Sequence, residues 1–307
     1  MNRPLFGAMA LAALIGAAAP VAAADTYAAT KYPIVLAHGL LGWDTAAGID
    51  YWYGIPGDLQ SHGAKVYTTK VSAVNSSEVR GEQLLQQVDT ILAITGASKV
   101  NLVGHSQGNQ STRYVAAVAP GKVASVTSVS GTTGGSPVAD LIAGAAPAGT
   151  FTNAVVNAVV SGLGSIIDLL SGSGGLPSDG NAVLTSLTTQ GAANFNKNFP
   201  AGVPPTRCGQ GASMVNGVRY YSWSGTSQIT SGIDPSDSAL SLTALAFKGT
   251  PNDGLVGQCD SYLGAVIRGD YALNHLDTIN QFFGVAGFTD PVALYRQHAN
   301  RLKLAGL

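Results

Sequence analysis

The pentapeptide Gly104-His105-Ser106-Gln107-Gly108 sets a serine between two glycines. An apolar run, Lys99-Val100-Asn101-Leu102-Val103, precedes it, and a helix-like stretch, Ser111 to Ala119, follows. Strand, sharp turn and helix with the serine at the apex is the nucleophile-elbow pattern Gly-x-Ser-x-Gly. The glycines remove side chains where strand and helix pass close together, leaving the hydroxyl exposed on a strained turn. A serine hydroxyl is a poor nucleophile until a base takes its proton. The chemistry therefore needs a histidine, an acid to orient it and N–H donors for an oxyanion. Without them, the same pentapeptide is a structural turn.

After removal of an N-terminal leader, described below, the chain offers His38, His62, His105, His275 and His298. His38 opens an early loop and His105 sits inside the elbow, so neither suits a base that follows the nucleophile. In α/β-hydrolases the order is Ser, acid, His, which leaves His275 and His298. His298 lies in a helical pattern, Tyr295 to Ala299, and is expected to pack there. His275 lies in a loop, Tyr271 to Asp277, and is the expected base. The acid must fall between Ser106 and His275, where Asp140, Asp168, Asp179, Asp234, Asp237, Asp253, Asp260 and Asp270 are candidates. Asp253 is favoured because Asn252-Asp253-Gly254 forms a turn after the strand-like Thr243 to Phe247. An ordinary Asx turn would look the same by spacing. Two backbone donors complete the set: Gln107, next to the nucleophile, and Leu40, in the loop after the first strand.

The elements that must hold these residues alternate strand and helix. Ile34 to Ala37 reads as a buried parallel strand running into the loop His38-Gly39-Leu40-Leu41-Gly42. Tyr53 to His62 looks helical, and Lys65 to Val71 alternates like a strand. Glu78 to Thr95 is an amphipathic helix with Leu84, Leu85, Val88, Ile91 and Leu92 on one face. Val123 to Val129 and Arg219 to Ser224 read as strands, and Asp277 to Phe283 and Pro291 to Leu304 as helices. Repeated β-α-β predicts an α/β fold, a mostly parallel sheet with helices on both faces. Between about 135 and 180 the rhythm breaks. The apolar run Ala154 to Leu170 places Leu163, Ile166, Ile167 and Leu170 at helical spacing, with Asp168 the sole charge between Asp140 and Asp179. It is either a core helix or an amphipathic lid with glycine-rich hinges such as Ser171 to Gly175.

The 307-residue chain has 11% charged residues and a formal net charge of −1, with no basic stripe for nucleic acid. Met1-Asn2-Arg3, an apolar run from Leu5 to Ala19, and Ala22-Ala23-Ala24 make residues 1–24 a secretory signal peptide rather than a membrane span. Residues 25–307 then form one exported domain with the insertion at about 135–180. In an oxidising compartment the two cysteines, Cys208 and Cys259, are expected to pair.

The chain resembles the secreted triacylglycerol lipases of Pseudomonas and Burkholderia type. The matching segments are His38 to Gly42, Asp50-Tyr51-Trp52-Tyr53-Gly54-Ile55, Val79 to Leu85, Lys99 to Gly108, Arg113 to Val118, Tyr220 to Gly225, Asp253 to Gly257, Asn274 to Asp277 and Tyr295 to Lys303. The resemblance implies the α/β-hydrolase fold, the triad Ser106, Asp253 and His275, and an oxyanion hole at Leu40 and Gln107. It implies a Cys208–Cys259 disulfide and a lid between about Gly149 and Gly172. It also implies one structural Ca²⁺ held by Asp234, Asp277 and the carbonyls of Gln281 and Val285. Spacing alone would make Asp277 a helix N-cap. Some relatives use a dedicated folding helper before passage through the periplasm. One departure stands out. Ser130-Gly131-Thr132-Thr133-Gly134-Gly135-Ser136 replaces the usual Pro-His-basic-Gly segment, and a more flexible loop is expected there. The expected function is carboxylic ester hydrolysis of lipase type (EC 3.1.1.-, 3.1.1.3), acting on lipid at an interface. A polyester or short-chain esterase is the alternative, and a non-catalytic binding relative would need a broken triad.

Overall fold

Strand β1 (Ile34–Ala37) shows how the sequence builds the sheet. All four side chains are buried. Ile34 and Leu36 pack on one face with Trp52, Leu59 and Tyr295, while Val35 and Ala37 pack on the other with Leu84, Val88 and Val115. A strand covered on both faces needs no polar alternation, so it reads as a continuous apolar run. The computed structural model describes residues 25–42, 45–46, 49–144, 149, 152–170 and 178–307, with only the backbone at 45, 46, 49 and 163–170. The signal peptide and the glycine-rich Ser171 to Gly175 lie outside the described residues.

The remaining strands are β2 (Thr45–Ala46), β3 (Ile49–Asp50), β4 (Val66–Thr69), β5 (Val100–His105), β6 (Val123–Val129), β7 (Met214–Val215), β8 (Val218–Gly225) and β9 (Ala265–Tyr271). Among the described residues one sheet runs β4-β1-β5-β6-β8-β7, with β9 also on β8, and β2 pairs with β3 in a separate ribbon. The main-sheet pairings are parallel except β7 with β8. The helices are α1 (Ile55–Ser61), α2 (Ser77–Thr95), α3 (Gly108–Val118), α4 (Pro137–Ile142), α5 (Asn153–Leu170), α6 (Gly180–Leu187), α7 (Thr189–Asn198), α8 (Pro235–Thr243) and α9 (Pro291–Leu304). Helix α2 starts where Ser76 Oγ accepts the Val79 N–H and stops at Gly96, whose φ of 66° suits a left-handed cap. Its Leu84 and Val88 are fully buried, each contributing about 2 kcal/mol of apolar transfer. The disulfide Cys208–Cys259 spans a sequence separation of 51. Closing a loop of that length contributes about 4 kcal/mol in the chain-entropy account.

Three expectations need correcting. Thr243 to Phe247 is not a strand; it is the end of α8 followed by a 3-10 turn, Ala244–Phe247. A short apolar run has no period of its own and fits either structure. Asp277 to Phe283 is helical only as the 3-10 turn Asp277–Ile279. Asn280 at φ 63° and Phe283 at φ 54° take left-handed backbone that a helix cannot continue. Strand β9 and helices α6, α7 and α8 gave no clear sequence signal. The segment Ser130 to Ser136, expected to be flexible, is instead tied down. Thr132 and Thr133 are each 3% exposed. Asn109 Nδ2 donates to Thr133 Oγ1 (3.0 Å), Asn196 Nδ2 to the Thr133 carbonyl (2.8 Å), and the Gly134 N–H to the Asp260 carbonyl (2.7 Å).

Helix α5 covers the apolar run of the insertion. Val159 is fully buried against Val138, Ala246 and Phe247, while Val160 on the next position is half exposed. Gly162 lets α5 approach α8 closely, because a Cβ there would stand 2.6 Å from the Ala239 carbonyl oxygen. Leu163, Ile167 and Asp168 have side chains outside the description.

Candidate active site

Ser106 sits at the carboxyl end of β5 with φ 54°, a left-handed conformation rare for a residue with a side chain. The Ser106 N–H bonds the Val129 carbonyl (3.0 Å), and its own carbonyl accepts from Asn109 N–H (3.1 Å). The flanking glycines are obligatory. A Cβ on Gly104 would lie 2.4 Å from the Gly108 carbonyl oxygen, and one on Gly108 would lie 2.2 Å from that of Ala37. The strain is held by packing on both sides, as at other functional turns.

His275 follows β9 and Asp253 follows the 3-10 turn after α8; both are buried. His275 Nδ1 is 2.9 Å from Asp253 Oδ2. The other carboxylate oxygen accepts the N–H groups of Leu255 (3.0 Å) and Val256 (2.7 Å). The His275 N–H bonds the Asp253 carbonyl (2.9 Å), so backbone and side chain fix the pair together. Ser106 and His275 line one cleft. Among the described residues, no hydrogen bond joins Ser106 Oγ to His275 in this conformation. Such bonds tighten when substrate binds. His298 does not reach this site. It is buried between Thr127 Oγ1 (2.8 Å) and Arg301 (3.1 Å), and burial lowers its pKa to about 3.

Leu40 lines the cleft beside Ser106, and Gln107 directly follows the nucleophile in sequence. Among the described residues neither backbone N–H is bonded to another protein group. Gln107 is the N-cap residue of α3, so its N–H stands at the positive end of that helix. The Leu40 loop is gripped by Arg80, a fully buried residue of α2. Its Nη2 donates to the carbonyls of His38 (2.6 Å) and Gly39 (2.9 Å), and Nη1 to that of Ala73 (3.2 Å). Burial lowers the guanidinium pKa to about 10, which still leaves it charged at neutral pH. A cation on the Gly39 carbonyl polarises the Gly39–Leu40 peptide and strengthens the Leu40 N–H as a donor. The cleft beyond is apolar, walled by Leu41, Val138, Ile142, Leu184, Leu187 and Leu255.

Beside the His275 loop lies a second polar cluster. Asp234, Asp237, Asn274 and Asp277 are all buried. Asp234 caps α8 through the Ser236 N–H (2.7 Å). Asp237 accepts from the N–H groups of Thr230, Ser231 and Gly232. Asn274 Nδ2 donates to Asp237 (3.1 Å), and the Asn274 N–H to Asp277 Oδ2 (2.9 Å). Asp277 Oδ1 is buried and makes no hydrogen bond of good geometry, although the Thr230 and Asp234 side chains stand close enough to influence its titration. Burial, with the Asp234 charge adding to it, raises the Asp277 pKa to about 7. Among the described residues no three His, Cys, Asp or Glu side chains converge as a metal-holding group. Two adjacent buried carboxylates with an orphan oxygen are nonetheless the donor chemistry that a hard cation satisfies, with backbone carbonyls completing the shell.

Sequence reasoning named Ser106, Asp253, His275, Leu40 and Gln107, and the fold brings all five to the carboxyl edge of the sheet, where α/β folds place their sites. The contacts of Arg80 and Asn274 were not read from the sequence. Both lie in segments shared with the lipases, Val79 to Leu85 and Asn274 to Asp277, and that likeness was the signal available.

Comparison with known proteins identifies the family. The α/β-hydrolase fold family matches residues 32–256. A triacylglycerol lipase of Vibrio cholerae is 55% identical over 294 residues, covering 95% of this chain and 94% of that protein. A triacylglycerol lipase of Burkholderia plantarii is 46% identical, covering 99% of this chain and 94% of its own. Among solved structures, the mature Bacillus licheniformis lipase BlEst2 superposes with a TM-score of 0.62 at 18% identity, covering 89% of this chain and 93% of its own. Staphylococcus hyicus lipase gives 0.59 at 15%, covering 90% of this chain and 97% of its own. At such identities the likeness is one of fold. The chain belongs to the α/β-hydrolase fold family and, within it, to the bacterial triacylglycerol lipases.

Proposed function

We propose that this lipase is exported after loss of residues 1–24 and cleaves esters through a Ser106–His275–Asp253 acyl-enzyme cycle. The observation that carries the reading is the buried 2.9 Å contact between His275 Nδ1 and Asp253 Oδ2, beneath an apolar cleft that also exposes Ser106. In the cycle, His275 Nε2 takes the Ser106 proton as Oγ adds to the ester carbonyl. Asp253 holds the tautomer and stabilises the imidazolium. The Leu40 and Gln107 N–H groups receive the oxyanion. Collapse returns the proton to the leaving alcohol, and water repeats the sequence on the acyl-enzyme.

Asp234 and Asp277, with the carbonyls of Gln281 and Val285, would hold a structural Ca²⁺. When bound, the ion supplies positive charge against the two carboxylates. This chain's own residues then keep the His275 loop in place through Asn274. Helix α5 acts as a lid: its amphipathic face backs the cleft wall through Val155 and Val159, and opening is favourable only at a lipid surface. Among the described residues no helix is long and apolar enough to cross a membrane.

The test is a hydrolysis profile over p-nitrophenyl esters of increasing chain length and emulsified triglycerides, with wild type and Ser106→Ala. Ser106→Ala should fold and lose about 10⁴-fold or more in kcat, and wild-type activity should climb as substrate passes its solubility limit. A folded Ser106→Ala protein with near-normal rates would refute the nucleophile. A flat response to emulsions with high rates on soluble short esters would remove the lid.

A further inference from the structure

Two polar side chains that the hydrolytic cycle does not use lie between its two halves. Tyr51, next to β3, is buried and stands with its hydroxyl 3.0 Å from the Gly39 N–H and 2.6 Å from His105 Nδ1. His105, the last residue of β5, is buried and has Nε2 3.1 Å from the His275 carbonyl oxygen. Donor chemistry fixes the direction of every link. A carbonyl only accepts, so Nε2 carries the His105 proton; Nδ1 is then an acceptor, and the Tyr51 hydroxyl donates to it. The same hydroxyl accepts the Gly39 N–H. Burial, followed by the neighbouring His275, holds the His105 pKa well below the usual histidine value, so the ring is neutral and the tautomer does not switch near pH 7. The imidazoles of His105 and His275 lie 4.6 Å apart, and Trp52 closes the far side with its ring 6.1 Å from His105.

We propose that Tyr51 and His105 are positioning residues, a buried hydrogen-bonded bridge that fixes the Leu40 oxyanion donor and the His275 base relative to one another across Ser106. The inference rests on the catalytic roles read above for those three residues. Gly39 is the residue whose carbonyl belongs to the Leu40 N–H peptide. Arg80 holds that carbonyl, and the bridge holds the Gly39 N–H. At the other end, Asp253 fixes the His275 ring and N–H, while Thr278 Oγ1 (2.7 Å) and His105 fix its carbonyl. The bridge joins segments 54 and 170 residues apart in sequence, and no single backbone element could set their spacing. Catalysis is sensitive to that spacing, because a shift of about 1 Å in a reacting group costs up to about 10²-fold.

The experiment uses the full exported chain and a soluble p-nitrophenyl butyrate substrate, with kcat, KM and melting temperature measured for Tyr51→Phe, His105→Phe and the double variant. Phenylalanine keeps the ring volumes and removes the polar atoms. Each single change should lower kcat by about 10- to 100-fold with KM within about twofold and the melting temperature little altered. The double variant should be no slower than the slower single, since a bridge cut twice is still one broken bridge. His105→Gln, which keeps an acceptor and a donor, should recover part of the kcat lost in His105→Phe, and it also serves if a phenylalanine variant does not fold. Wild-type kcat in Tyr51→Phe, losses that multiply in the double variant, or no recovery by glutamine would each overturn the bridge. Ser106→Ala run alongside separates the two failures. If it is inert while Tyr51→Phe is normal, only the bridge falls. If it is active, the catalytic reading falls.

Discussion

Asp253 and Asp277 are both buried carboxylates on segments that fix the same histidine, yet their surroundings are opposite. Asp253 spends one oxygen on the Leu255 and Val256 N–H groups and the other on His275 Nδ1. Asp277 has one oxygen on the Asn274 N–H, the other without a hydrogen bond of good geometry, and Asp234 close enough to raise its pKa. The first site is complete with protein groups alone. The second carries like charges in a medium that penalises even one. A buried carboxylate matched to a histidine can serve chemistry; a buried pair with no basic partner is suited to a cation.

The sharpest division between them should be in rate. Asp253→Asn keeps the size of the side chain and both backbone bonds at one oxygen, but offers the His275 ring the wrong partner. We expect kcat to fall by about 10⁴-fold with the melting temperature nearly unchanged, read from ester hydrolysis and thermal unfolding on the same preparation. A neighbouring carboxylate that took over the role would show as a loss of under tenfold. Asp260 is poorly placed for this, since Arg207 already holds both of its oxygens.

Next in size is the effect of removing the cation. Chelation should lower the melting temperature, because an ion present at about 100 times its Kd adds about 2.7 kcal/mol to the native state. Activity should fall with it, since Asn274 and Asp277 adjoin His275 in sequence. The comparison predicts a crossing with Asp277→Asn. In calcium the variant should be less stable than wild type; in chelator it should be equally or more stable, having lost the carboxylate repulsion. Thermal unfolding in both buffers decides it, and a variant less stable in both would mean that Asp277 acts only through its hydrogen bond to Asn274.

How much of this was legible in the sequence follows from what a sequence pattern can encode. The face of α2 repeats with the helical period, and Val123–Val129 is a short run rich in β-branched residues, buried along its whole length, so both could be placed from residue types. Ser106 and its glycines form a contiguous steric requirement, and His275 followed from chain order. The interior polar contacts have no period. Arg80 against Gly39, Tyr51 against His105 and Asn274 against three neighbouring side chains are long-range pairings of single residues. The 3-10 turn at Asp277–Ile279 was hidden for a similar reason: left-handed backbone at Asn280 and Phe283 interrupts a stretch whose residue types permit a helix.

Thr132 tests the weakest form of the contrast, an orphan without charge. Its side chain lines the cleft, and its Oγ1 is buried without a protein partner. A neutral hydroxyl left unpaired costs about 1–3 kcal/mol where water is excluded, and much less where cleft water reaches it. Valine has nearly the same shape and no hydroxyl. Thr132→Val should therefore leave the melting temperature unchanged or raise stability by up to about 1 kcal/mol, with kcat on short esters retained and the balance between acyl chains shifted toward longer ones. Parallel unfolding and chain-length measurements would show it. A clear loss of stability would mean that the hydroxyl is paired through ordered water, and that Thr132, like Asp253, belongs to a completed polar site.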